Sequence, residues 1–120
     1  MELMNYTKVK KERTLTKVIS IYSSRLKDID FVSFDGLFSI AKGLMRFEIG
    51  YKWNGCDFAR DWNSTDRGSA SHDALIWYNV PVAQKTKDLV LYDLLKEDGF
   101  KLAYLYYVSV RTFMIAKGIK

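Results

Sequence analysis

The chain has 120 residues, 48% hydrophobic and 28% charged, with 19 Lys and Arg against 14 Asp and Glu for a net charge of +5. That composition excludes a disordered chain, and the length suits one domain with a modest apolar core. A lone cysteine, Cys56, excludes an internal disulfide, and the opening MELMNYTKVKKERTL lacks the apolar run of a signal peptide, so a cytosolic or intracellular setting is expected.

The charge is uneven. Residues 1–27 hold seven basic side chains (Lys8, Lys10, Lys11, Arg13, Lys17, Arg25 and Lys27) against Glu2 and Glu12, a surplus equal to that of the whole chain. Such an end can meet phosphate or an acidic partner surface. Lysines scattered among Thr, Val and Ile are more often a solvated face, and no nucleic-acid-binding motif accompanies them, so nucleic acid is the less favoured partner.

In chain order the first half reads as strands. NYTKVKK, LTKVISIYS, DFVSF, LFSIA and LMRFEIGYKW are rich in β-branched and aromatic residues. In the last, Met45, Phe47, Ile49, Tyr51 and Trp53 alternate with Arg46, Glu48, Gly50 and Lys52, the period of two of a single half-buried strand. Asp35-Gly36 predicts a two-residue hairpin turn and Lys42-Gly43 another turn. Residues 15–30 fit a strand or a helix, because Leu15, Val18, Ile19 and Tyr22 also make a helical stripe. A first helix is expected over Ser69–Tyr78, with Thr65 or Asp66 near its start as the capping acceptor and Asn79 and Pro81 stopping it. A second runs from about Gln84 to Asp98 and ends at Gly99. The third, Phe100 to about Lys117, is apolar on most sides and predicts the central helix between sheet and neighbours. Its apolar run is shorter than the roughly 20 residues that span a bilayer and contains Lys101 and Arg111, so no membrane span is expected. The expected architecture is α+β in a single domain over 1–120 (strand-rich 1–53, loop 54–68, helical 69–120), a small antiparallel sheet followed by three helices packed on one face.

Candidate chemistry centres on His72, Asp73 and Asp88. At helical spacing His72 shares a face with Leu75 and Ile76, Asp73 with Ile76 and Trp77, and Asp88 with Leu91, Tyr92 and Leu95. All three therefore border an apolar side, whereas Asp93, Glu97 and Asp98 fit the solvent side. A His with two Asp has the donor types to hold a divalent metal and activate water. The opposing reading makes Asp73 a first-turn carboxylate favouring the helix dipole and His72 a core-edge imidazole bonded to Asp88 or a carbonyl, with no cofactor. The loop WNGCDFARDWNSTDRG supplies candidate binding residues, Trp53, Asn54, Gly55 and Trp62, since loops on a rigid scaffold often bind; such an Asn-Gly pair is more often just a turn, and such tryptophans are more often loop anchors packed on the core. Cys56 reads as a buried filler rather than a nucleophile, which would need His72 beside it.

The succession FEIGYKWNGCDF, ASHDALIWY, KDLVLYDLL, Gly99 and AYLYYVSVRTF resembles a family of small uncharacterised proteins of tailed bacteriophages and prophages, over roughly residues 44–113. Carried over by position, its motif residues are Trp53, Asn54, Gly55, His72, Asp73, Asp88 and Arg111. This chain departs at Asn54-Gly55-Cys56-Asp57, where the family usually has Asp-Gly-Ala-Ser, and at Lys87, where a small residue precedes Asp88. The resemblance implies a phage origin and no particular activity. It points to an accessory or virion-associated protein that binds a protein of the virion or the host. Two rivals stand beside it: a small metal-dependent hydrolase using His72, Asp73 and Asp88, and a basic inhibitor docking on a host protein through its N-terminal lysines.

Overall fold

Short runs of β-branched and aromatic residues broken by Gly and Lys-Gly produce strands of three or four residues. The computed structural model describes residues 3–55 and 63–119. Its strands are β1 (Tyr6–Val9), β2 (Glu12–Leu15), β3 (Ile19–Tyr22), β4 (Asp30–Val32), β5 (Phe38–Ala41), β6 (Leu44–Phe47) and β7 (Lys52–Asn54), followed by α1 (Asn63–Trp77), α2 (Gln84–Glu97) and α3 (Ala103–Ala116). The fold is α+β, strands first and helices after.

The strands form two antiparallel sheets rather than one, in the orders β1-β2-β7 and β3-β6-β5-β4. The expected single strand over 45–53 is where they part. Its alternation is real, with Met45, Phe47, Tyr51 and Trp53 all buried, but Ile49 is exposed and Gly50 has φ +97. There Tyr51 N–H donates to Glu48 O (3.1 Å) and Gly50 N–H to Leu15 O (2.9 Å). A glycine in a conformation that side chains resist thus turns the chain from one sheet into the other while the inward period survives. Lys42 and Gly43, with φ 49 and 85, form the two-residue turn between β5 and β6, which matches the right-handed strand twist. Asp35-Gly36 sits in a longer loop closed by Ser33 N–H on Phe38 O (2.9 Å). It exceeds two residues because Asp35 Oδ1 accepts from Ser33 Oγ (2.7 Å) and Leu37 N–H (3.0 Å), replacing ladder bonds with side-chain ones. The ambiguous 15–30 stretch contains β3 and a 3-10 turn, Ser24–Leu26.

Helix α1 begins six residues before the expected Ser69, so Thr65 and Asp66 lie inside it, buried, rather than capping it. Each helix ends on a left-handed residue, Asn79, Gly99 and Gly118, and the next amide reaches back to Leu75 O, Leu95 O and Met114 O, which satisfies carbonyls the helix leaves free.

The central helix is α1, not α3. Ala70, Ala74 and Leu75 are fully buried, and Leu75 joins Ile21, Phe38, Met45 and Phe47 in one core. Small side chains make that position accessible. At Gly68 a Cβ would come within 3.1 Å of Leu95, so glycine lets the α2 leucines close on α1. Helix α3 lies outside, touching α2 through Ala103 and the half-buried Tyr106 and Val110 in a small second cluster with Leu91, Leu95 and Phe100. Apolar composition says what tolerates burial; it does not say which helix reaches the centre.

Candidate functional site

Three polar arrangements lie around this core. The first joins the three helices. Asp88, fully buried on α2, accepts from His72 Nε2 on α1 (2.7 Å) and from its own helix's Gln84 Nε2 (2.9 Å) through Oδ1, and from Arg111 Nη1 on α3 (2.8 Å) through Oδ2. Burial pushes the Asp88 carboxyl upward, but hydrogen bonds from His72, Arg111 and Gln84 outweigh it and hold the pKa below the usual carboxylate range. Asp88 is therefore an anion that only accepts, and His72 Nε2 must carry the proton it shares with it. Both carboxylate oxygens are engaged by donors. Among the described residues no group of three His, Cys, Asp or Glu side chains converges as a metal ion requires. Beside the cluster, the buried Lys87 has its pKa lowered by loss of water, an effect the Asp88 charge partly offsets.

Asp73 does not join His72 and Asp88. It lies mid-helix, and its Oδ2 accepts the Asn54 backbone N–H (3.1 Å), tying β7 to α1. The face it shares with Ile76 and Trp77 opens onto the second arrangement, a groove of about 580 Å³ between α1 and the two sheets. Trp53, Asn54 and Asp73 line it, together with residues the sequence does not single out for a site: Asp35, Tyr51 and Tyr78. Asp35 Oδ2 accepts the Tyr78 hydroxyl (2.7 Å). Burial raises the Asp35 carboxyl, yet donation from Ser33, Leu37 N–H and Tyr78 leaves it below the usual range. The Tyr51 hydroxyl, which donates to Ala70 O (2.8 Å), is pushed well above its ordinary pKa by burial and then by the charge of Asp73.

The third arrangement lies at the start of α1. Buried Arg13 sits 3.8 Å from Asp66, which also accepts the Tyr6 hydroxyl (3.1 Å). A Cβ at Gly55 would overlap the Arg13 guanidinium, so Gly55 is the gap through which that side chain passes. Arg13 is thereby removed from the basic N-terminal surface, while Lys8, Lys10, Lys11, Lys17 and Lys27 remain exposed on it. Asp98, expected on the solvent side, instead buries its carboxylate against Arg67 Nη1 (2.6 Å). Trp62 and Cys56 lie outside the described residues.

Of the sequence candidates, the fold unites His72, Asp88 and Arg111 in one cluster and Trp53, Asn54 and Asp73 along one groove. Gln84 was legible as the residue four before Asp88 on the same helix. Asp35 and Arg13 were not, since Tyr78 and Asp66 lie several elements away in the chain. Comparison with protein-family models, curated proteins and solved structures gives no match.

Outside these arrangements α3 exposes large apolar side chains: Tyr104 is 68%, Leu105 61%, Phe113 55% and Ile115 53% accessible. No acidic residue occurs from Gly99 to the end of the sequence, whereas Lys101 and Lys117 flank the helix. No helix among the described residues is long and apolar enough to cross a membrane.

Proposed function

We propose that the protein is a phage accessory or virion-associated protein that works by binding another protein, with α3 as its docking surface. The observation that carries the reading is the row Leu105, Val108, Thr112 and Ile115, three and four residues apart on an exposed helix, the anchor spacing of a helix laid in a partner's apolar groove. Contiguous exposed apolar patches rimmed by polar residues mark interaction sites, whereas scattered single apolar residues are ordinary surface. Lys101 and Lys117 at the two ends suit a groove with an acidic rim. The phage assignment rests on the resemblance over residues 44–113. The His72–Asp88–Arg111 cluster serves in this reading to hold α3 against the other helices.

The test compares wild type with the Leu105→Gln/Phe113→Gln double variant, each tagged, in cells infected with the phage. The same partner should be recovered by wild type and lost by the variant, with the thermal midpoint unchanged; equal recovery overturns the reading. A midpoint that falls on chelation would favour the metal-dependent hydrolase, because only a bound ion lends stability a chelator removes. Loss of the partner in a Lys8→Gln/Lys10→Gln/Lys11→Gln variant, with α3 intact, would favour the basic inhibitor.

A further inference from the structure

Lys87 on α2 is 5% exposed and makes no hydrogen bond or ion pair among the described residues. A cation taken out of water needs a partner to offset the loss. Asp88 beside it is engaged at both oxygens by His72, Gln84 and Arg111, so its charge acts on Lys87 without contact and offsets the loss of water only in part. A partner from outside the chain has access, because the stem is buried while the amine is not sealed from solvent. We propose that Lys87 and the start of α2 bind a phosphoryl group.

The helix start supplies the other donors. The first bond of α2 runs from Lys87 N–H to Ala83 O (3.2 Å), which leaves the amides of Gln84, Lys85 and Thr86 without an acceptor among the described residues. Ala83 is extended (φ −59, ψ 146) and has a methyl where a capping oxygen would stand, and the first turn holds no acid. A helix start in this state carries about half a positive charge and donates readily to an oxyanion. Long side chains on a helix lean toward its N-terminus, over the turn that precedes them. Lys87 therefore reaches back over Ala83 and Gln84, toward the free amides and away from Asp93 and Glu97. The exposed Lys85 adds a second cation and the half-buried Thr86 a hydroxyl. A phosphoryl group brings three acceptor oxygens and up to two charges, enough for amides and ammonium together, whereas a carboxylate brings two oxygens and one charge.

The phosphoryl group can be free phosphate or part of a phosphorylated chain, and titration of the Gln84, Lys85 and Thr86 amide resonances separates them. The probes are inorganic phosphate, Nα-acetylphosphoserine amide and acetate. Both phosphates should shift the three amides with affinities in the millimolar range, and acetate should bind at least about tenfold more weakly. A tighter phosphoserine amide would identify a phosphorylated chain as the source; equal or tighter inorganic phosphate would identify the free ion. Lys87→Met keeps an apolar stem in the buried position and should weaken phosphate roughly ten- to hundredfold, the loss of a charge-assisted hydrogen bond. Lys85→Gln, at an exposed position, should weaken it by no more than about fivefold. Equal losses in the two variants would assign the binding to the general +5 field of the molecule and overturn the proposal. In the wild type alone, acetate bound as tightly as phosphate, or no shift at the three amides, would do the same. Neither variant alters α3, so the result leaves the docking test untouched.

Discussion

Asp88 bonds to one side chain on each of the three helices, so its removal strands the buried His72 and the half-buried Arg111 and Gln84 besides losing its own bonds. Asp88→Ala should cost about 3 to 5 kcal/mol, as breaking a buried charged pair does, and His72→Ala about 1 to 3 kcal/mol. Chemical denaturation of the double variant should give less than the sum, because the second change removes a group the first has already orphaned. With its folded pKa held below the unfolded value, Asp88 contributes fully above about pH 4, and that contribution drains as pH falls further through the folded pKa. Lys87 runs the other way. Its folded pKa is lowered by burial, so the charged amine opposes folding below its unfolded pKa of about 10.4. Lys87→Met should stabilise the protein by about 0.5 to 2 kcal/mol at pH 7, and the gain should shrink above pH 10, where the amine is neutral in both states; a destabilised Met variant would show the ammonium to have a partner. Helical spacing was enough to place His72 and Asp88 at a buried edge. It could not show that Asp73, one residue from His72, points about 100° away into the groove, because adjacent helical residues face different neighbours.

Two helices exchange the places their compositions suggest. Helix α1, rich in Ser, Ala and Gly with polar residues among them, runs through the centre, and α3, almost wholly apolar, lies outside. The strand-then-helix order was legible from periodicity, and Asn79 and Gly99 marked helix ends from sequence alone. The ranking of helices was not. A hydropathy pattern records which side chains gain by leaving water, whereas central position depends on how closely a helix can approach its neighbours, and Gly68 and Ala70 decide that for α1. Leu105→Asp on α3 should therefore shift stability by no more than about 0.5 kcal/mol, while Leu75→Ala on α1 should cost about 2 to 5 kcal/mol, both read by urea unfolding. A Leu105→Asp chain that fails to fold would mean α3 is covered by the protein itself.

At the scale of the molecule, the α+β class followed from the order of patterns. The division into two sheets did not, because the apolar alternation in the sequence continues unbroken across Gly50 and only the backbone turn, with Ile49 facing solvent, reveals the crossing. Both sheets and α1 share one core, so the strands and the central helix should unfold together, with the small cluster under α3 the least anchored part. The basic residues flanking α3 also govern how copies of the molecule behave in a crowded solution. Lys101 and Lys117 are the same on every copy, so in dilute salt they hold apolar faces apart. As ionic strength approaches 1 M the screening length shrinks to about 3 Å, and the repulsion fades while the attraction of Leu105, Phe113 and Ile115 does not. Light scattering should then find single chains at low salt and growing assemblies at high salt, an order opposite to that of association held by charge. A stock of the protein would keep best in the dilute buffer that purification usually avoids.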